Sequence, residues 1–270
     1  MRGRLLAFHS GLCALLLVLA ISGCSNKTTA PGFGTISLKM TDAPGDFQEV
    51  NLDIIQVSAH RGGTEAEADS DSTSGWQVLR SDPLHVDLLT LRNGVFTTLA
   101  VAQVPAGHYT QIRLKLGAGS NVVIDGVTHP LTVPSGLQSG YKLVGSFDVP
   151  ANGLLSLALD FDAARSIVLT GSGTYILKPT VRVLPFSTSG SITGQVLPDS
   201  VATAVYAIQA ADTIGSALTS GGFFSVNVLP AGTYSLAFHP STAYRDTTLG
   251  GIVVNAGAAT SVGTVQLTPQ

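Results

Sequence analysis

The feature that most constrains this chain is a hydrophobic period of two. In the stretch from Thr110 to Leu116, Thr110, Ile112, Leu114 and Leu116 share one face, while Gln111, Arg113 and Lys115 share the other. A half-buried antiparallel strand reads this way, because successive side chains point to opposite sides of a sheet. The pattern recurs in Leu155, Leu157, Leu159 and Phe161, with Ser156 and Asp160 opposite. It returns in Phe224, Val226 and Val228, and again in Tyr234, Leu236 and Phe238. Asn93-Gly94 and Asp125-Gly126 are two-residue hairpin signals. Charged residues make up only 11% of the chain, against about 25% in typical soluble domains. Ser, Thr, Gly and Ala take their place. The expected class is all-β, built as two tandem antiparallel β-sandwiches with Greek-key connections.

The first residues obey another rule. Arg2 and Arg4 precede an apolar run from Leu12 to Ile21, the charge-then-apolar order of an export signal. The run is short for a bilayer span, which needs roughly 20 residues. It closes on Ile21-Ser22-Gly23-Cys24, which resembles a lipoprotein processing site. That resemblance implies a signal peptide over residues 1–23, cleavage before Cys24, and acyl chains on Cys24. Each buried methylene contributes about 0.8 kcal/mol, so two or three chains anchor firmly. Ser25 rather than Asp follows the cysteine, and in lipoproteins of this type that leans towards the outer membrane or cell surface. The cysteines are Cys13 and Cys24. One leaves with the signal and the other is lipidated, so apolar cores alone must hold the fold. Losing Arg2 and Arg4 takes the net charge from −3 to −5, which argues against nucleic acid as a partner.

After a polar tether over residues 24–33, strand candidates run from Thr35 to Leu184. They include Glu49 to His60, where the apolar phase shifts at Ile54-Ile55 as at a bulge. Leu84 to Leu91 reads as one strand, and Asp162 as the cap of a single helical turn. Residues 62–75 form an acidic low-complexity loop carrying Glu65, Glu67, Asp69 and Asp71. A solvated hairpin tip suits it better than a calcium loop, since it lacks the glycine and closing Glu of an EF-hand. Residues 185–190 read as a linker, and residues 191–270 as a smaller, nearly uncharged sandwich. Both regions share one device: Pro105-Ala106-Gly107-His108-Tyr109 and Pro230-Ala231-Gly232-Thr233-Tyr234 each launch a strand.

Several separated segments carry a family resemblance over residues 34–184. They are Ser37-Leu38-Lys39-Met40-Thr41-Asp42-Ala43-Pro44, Pro105 to Arg113, Leu157 to Ala163, and Tyr175-Ile176-Leu177-Lys178-Pro179. Together they resemble the family called domain of unknown function 4382, whose members are typically secreted or lipid-anchored. Ile192 to Val196, Gly222-Phe223-Phe224-Ser225 and Leu229 to Tyr234 look like a carboxypeptidase-regulatory or transthyretin-like sandwich. Such modules act mostly as spacers or binding modules.

Candidate sites are few. Asp42, Asp46, Asp160 and Asp162 lie at strand ends or turns and could offer oxygens to Ca²⁺ if those ends converge. The plainer reading has Asp42 and Asp162 bonding their own turns. Arg113 and Lys115 read as an ordinary solvent face rather than a ligand patch. There is no nucleophile elbow, zinc-protease motif or phosphate loop, and His60, His85, His108, His129 and His239 are scattered. The leading expectation is a non-catalytic, lipid-anchored cell-envelope module without a cofactor, reaching the membrane through Cys24 and engaging another envelope protein or a glycan. Carbohydrate binding through Trp76, Tyr141, Tyr206 and Tyr244 is the alternative, and a hydrolase with an unrecognised site is a third.

Overall fold

A computed structural model describes residues 32–43, 45, 47–62, 75–134, 140–241 and 243–270. Cys24, the export signal, most of the tether, Asp46 and the acidic loop from 63 to 74 lie outside the described residues. Residues 31–270 form one compact unit.

The first half contains β1 (Phe33–Ala43), β2 (Glu49–Arg61), β3 (Trp76–Arg80), β4 (Leu84–Asp87), β5 (Thr97–Pro105), β6 (Gly107–Leu116) and β7 (Asn121–Ile124). It continues with β8 (Val127–Thr132), β9 (Tyr141–Val149), β10 (Leu154–Asp162), α1 (Ala163–Ser166), β11 (Ile167–Leu169), β12 (Tyr175–Leu177) and β13 (Val181–Pro185). A four-stranded sheet, β13-β10-β1-β5, faces a nine-stranded sheet in which β2 and β6 are central. Their inner faces enclose one core, with Ile36, Leu38 and Met40 from β1 meeting Leu52, Ile54 and Ile112 from the opposite layer.

The second half contains β14 (Ser189–Leu197), β15 (Thr203–Gln209), β16 (Asp212–Leu218), β17 (Phe223–Pro230), β18 (Gly232–Pro240), β19 (Thr247–Val254) and β20 (Ala259–Gln266). The sheets β17-β14-β20 and β16-β15-β18-β19 sandwich a separate core around Phe224, Phe238 and Tyr234.

The all-β sandwich expectation holds, but the pairing is mixed rather than purely antiparallel. β1 lies parallel to β10, β8 to β12, and β14 to β20. Alternation reports which face is buried, and it carries no information on the direction of a distant neighbour. The Ile54-Ile55 phase shift is a register break against β6 between Ile54 and Gln56. A further break lies between Tyr109 and Gln111 in the β6–β9 pair. Tyr109 joins the core there, and Thr110 is buried beside it, with its Oγ1 3.3 Å from His60 Nδ1. Leu84 to Leu91 is not one strand. It stops at Asp87, whose carboxylate accepts from Leu89 N at 3.1 Å and starts a 3-10 turn over Leu88–Leu91. Asp125-Gly126 makes the expected hairpin, with both φ angles positive. Asn93-Gly94 also has both φ positive but joins segments that pair in different sheets.

The shared Pro-Ala-Gly device has a common purpose. Tyr109 Oη donates to Pro105 O at 2.8 Å, and Tyr234 Oη donates to Pro230 O at 2.8 Å. Each ring is buried while its hydroxyl ties down the turn four residues upstream, much as a tyrosine corner does. Tyr109→Phe should lower stability by about 1 kcal/mol, since the carbonyl loses its partner. Urea titration checks this, and a midpoint unchanged from wild type would contradict it.

Between the sandwiches, Pro185 ends β13 and Ser189 opens β14. Thr188 N donates to Pro185 O at 3.1 Å and Phe186 N to Ser156 O at 3.0 Å, so the stretch read as a linker is a bonded turn. The outer face of the β13-β10-β1-β5 sheet meets the second sandwich at β16 and β17. Asn93 bonds twice across this boundary, its Nδ2 donating to Leu218 O at 2.8 Å and its Oδ1 accepting from Ser225 N at 3.4 Å. Arg165 Nη2 donates to Thr213 O at 3.1 Å.

Candidate functional site

Of the Asp residues singled out from sequence, Asp42, Asp160 and Asp162 do converge, and Asp46 lies outside the described residues. Parallel pairing places Asp42 beside Phe161 and Ala43 beside Asp162, so β1 and β10 end together. Alternation then sends their carboxylates to different faces. Asp42 follows Met40 on the core side and is 5% exposed. Its Oδ1 accepts from Ala163 N at 3.1 Å, while its Oδ2 is buried with no hydrogen-bond partner. Burial pushes its pKa up to about 9, so the acid is neutral at pH 7; the Ala163 N–H and Arg92 oppose the shift, and Asp160 and Asp162 add to it.

Asp160 points outward towards the second sandwich and forms an ion pair with Arg182, its cross-strand neighbour on β13. Burial raises it to about 6 against the pull of that guanidinium. Asp162 accepts from Arg165 N at 2.9 Å, capping α1 as expected, and pairs with Arg165 Nε at 3.1 Å. The three acids therefore have separate duties. Among the described residues no group of three or more His, Cys, Asp or Glu is placed to hold a metal. A buried acid in its neutral form is also a poor ligand for a hard cation.

A second constellation was invisible in the sequence. Register places His108 on β6 opposite Asp148 on β9. His108 Nδ1 lies 2.9 Å from Asp148 Oδ1, and its Nε2 lies 3.3 Å from Ser146 Oγ. This is the order of a hydrolase triad, brought together from residues 38 and 40 positions apart in sequence. The surroundings do not suit that chemistry. The Asp148 side chain is 82% exposed, so water screens the charge that would have to orient and stabilise an imidazolium. All three side chains sit on an open strand face. Wild type and Ser146→Ala should give the same faint labelling with a fluorophosphonate probe; stoichiometric labelling of Ser146 would reverse this reading.

The aromatic residues chosen for sugar binding are each engaged elsewhere. Trp76 lies under the Arg113 guanidinium at 3.7 Å and beside His60 at 5.0 Å. Arg113 is thus stacked on an indole instead of forming an ordinary solvent face. Tyr141 Oη donates to Leu177 O at 2.6 Å. Tyr206 meets His239 edge-on at 5.4 Å, and Tyr244 packs against the second core. They form no common platform. Among the described residues the exposed aromatic rings are Phe33 and Phe223. Phe223 was legible in principle: Phe224, Val226 and Val228 face inward, which leaves its neighbour facing out.

The described residues define a two-sandwich β protein with an interlocked boundary. The chain belongs to the family described as a domain of unknown function (DUF4382), which matches residues 33–179. No curated protein matches it. Among solved structures it is similar to the TIE protein of Bacillus anthracis, at 10% identity and a TM-score of 0.23, covering 88% of this chain and 51% of that one. The chain thus spans about half the length of that protein. It is similar also to GBS52, the minor pilin of Streptococcus agalactiae, at 11% identity and a TM-score of 0.23, covering 87% and 96% of the two chains. The shaft pilin SpaA of Lactobacillus rhamnosus GG follows at 8% identity and a TM-score of 0.19, covering 88% and 98%. Likenesses at this level assign no role. No helix among the described residues is long and apolar enough to cross a membrane.

Proposed function

We propose that this protein is a non-catalytic, lipid-anchored module of the cell envelope, in which Cys24 carries the acyl chains and two joined sandwiches act as a spacer. The observation that carries the reading is the boundary between the sandwiches. The ion pair of Asp160 with Arg182 and the two bonds of Asn93 span or line it, so the second sandwich is held on the first and does not swing on a loose linker. A body fixed in this way holds whatever the second sandwich carries at a set position on the first. The sequence Ile21-Ser22-Gly23-Cys24 supports the anchor, and Ser25 supports the outer membrane or cell surface as its place. The second sandwich fits the spacer role of the carboxypeptidase-regulatory modules it resembles. Mass spectrometry of the native protein should find an acylated Cys24 at the amino terminus, and Cys24→Ala should move the protein from the membrane to the soluble fraction. An intact amino terminus, or an unmodified thiol, would overturn the anchor.

A further inference from the structure

We propose that the outer face of the β17-β14-β20 sheet is a binding strip for a neutral oligosaccharide. Register aligns its outward side chains in rungs across the three strands. Phe223, Gln195 and Thr264 form one rung, and Ser225, Thr193 and Ser261 the next. A groove of about 460 Å³ lies at the first rung, lined by Thr193, Gln195, Phe223, Ser261 and Thr264 among others. At the other end, a crevice of about 300 Å³ is walled by Ser191 and Asn227 from this sheet and by Phe96 and Phe186 from the first sandwich. The four residue steps from Phe223 to Asn227 span roughly 13 Å of strand, a few sugar rings long.

The chemistry of the strip selects its occupant. No charged side chain lines either cavity; the Lys39 ammonium lies behind the crevice wall, 5.9 Å from the Phe186 ring centroid, so the strip itself offers no pair for a phosphate or a charged peptide. An exposed ring stands at one end, with Phe223 61% exposed, and two tilted rings 5.3 Å apart stand at the other. Between them are hydroxyl and amide groups; those of Ser225 and Asn227 bond each other at 2.9 Å beside the Asn93-Gly94 turn, which leaves the β14 and β20 side chains to meet a ligand. The Thr193, Gln195 and Thr264 side chains make no hydrogen bond with other described residues, so their donors and acceptors are available. A sugar offers a matching surface, with an apolar C–H face for a ring and hydroxyls for the amide and hydroxyl row.

The backbone supplies an independent indication. Val228, which walls the crevice, has φ of 55°. For a β-branched residue this conformation is strained by about 1–3 kcal/mol, and such strain gathers at binding sites. It sits beside the register break between Gly190 and Ile192, and a second break places Gly263, with φ of 70°, in the Phe223 groove. Bulges of this kind re-aim side chains next to functional surfaces.

The test uses the full-length protein in a detergent without a sugar headgroup. Cello-, xylo- and chito-oligosaccharides are the neutral probes, and oligogalacturonate is the acidic control. At least one neutral series should bind, more tightly as chain length grows, with oligogalacturonate ignored. Phe223→Ala should weaken that binding at least tenfold without moving the melting temperature. Phe223→Trp should retain it, and Val253→Ala, on the exposed face of the other sheet, should leave it unchanged. Silence across all three neutral series, preference for the acidic probe, or binding indifferent to Phe223→Ala would overturn the proposal. None of these outcomes depends on whether Cys24 is acylated, so the anchor and the strip stand or fall separately.

Discussion

Replacing Asp42 with Asn is expected to remove most of the fall in stability that the wild-type protein shows between about pH 4 and pH 9. Burial raises the Asp42 pKa from 3.8 to about 9 in the folded chain. Between those values the unfolded chain has released its proton and the folded chain still holds it. The stability this group contributes is therefore complete below about pH 3.8, declines as pH rises, and is lost near pH 9. A tenfold change in proton affinity is about 1.4 kcal/mol, so a rise from 3.8 to about 9 makes the loss on the order of 7 kcal/mol across the window. Asn keeps the oxygen that accepts from Ala163 N and has no proton to lose. At pH 9 the variant should melt roughly 15 °C or more above wild type, and near pH 4 the two should nearly coincide. Asp160, raised to about 6, tilts the curve the same way at its acid end, which is why the comparison is between variant and wild type and not between two pH values. Thermal melts across the range decide it. A wild-type melting temperature that holds level from pH 6 to 9 would show that Asp42 ionises freely in the fold.

Arg182→Met should cost about 3 kcal/mol at pH 8, because it strands the buried Asp160 carboxylate without its counter-charge. The Asp160 side chain is 8% exposed, so water cannot replace the guanidinium. At pH 5 the loss should shrink, as the stranded acid takes up a proton instead. Adding Asp160→Asn to Arg182→Met should recover most of the deficit, since neutral partners of similar size leave no charge to compensate. Arg182 also fills the space over Gly215, where even a Cβ would lie 3.1 Å from its Nη2. The loosened boundary should appear in calorimetry as two transitions in place of one. A single transition at an unshifted temperature would mean the pair contributes nothing to joining the sandwiches.

Parts of the site were readable from sequence and parts were not. Asp162 as a helix cap, the bulge near Ile55 and the Asp125-Gly126 hairpin all follow from local chemistry, and all are present. β16 gave no signal because its inward positions are Gly215 and Ala217, kept small where Arg182 approaches. Leu84 to Leu91 misled because an unbroken apolar run looks alike in a strand and in a strand followed by a buried turn. The family segments near Asp42 and Asp160 were visible, and alternation already turned Asp160 outward, but the convergence of the two strand ends was not, since that depends on which strand lies alongside.

By itself the sequence determined the class of the fold, the number of cores and the local devices at its turns, because periodicity and turn chemistry are properties of a few neighbouring residues. Only the tertiary structure decided the partners. The parallel alliance of β1 with β10, the gathering of Ser146 with His108 and Asp148, and the uncharged strip on β17-β14-β20 each depend on register between strands far apart in the chain. A step of one residue in that register would turn every side chain to the other face, and no local pattern states which register is taken.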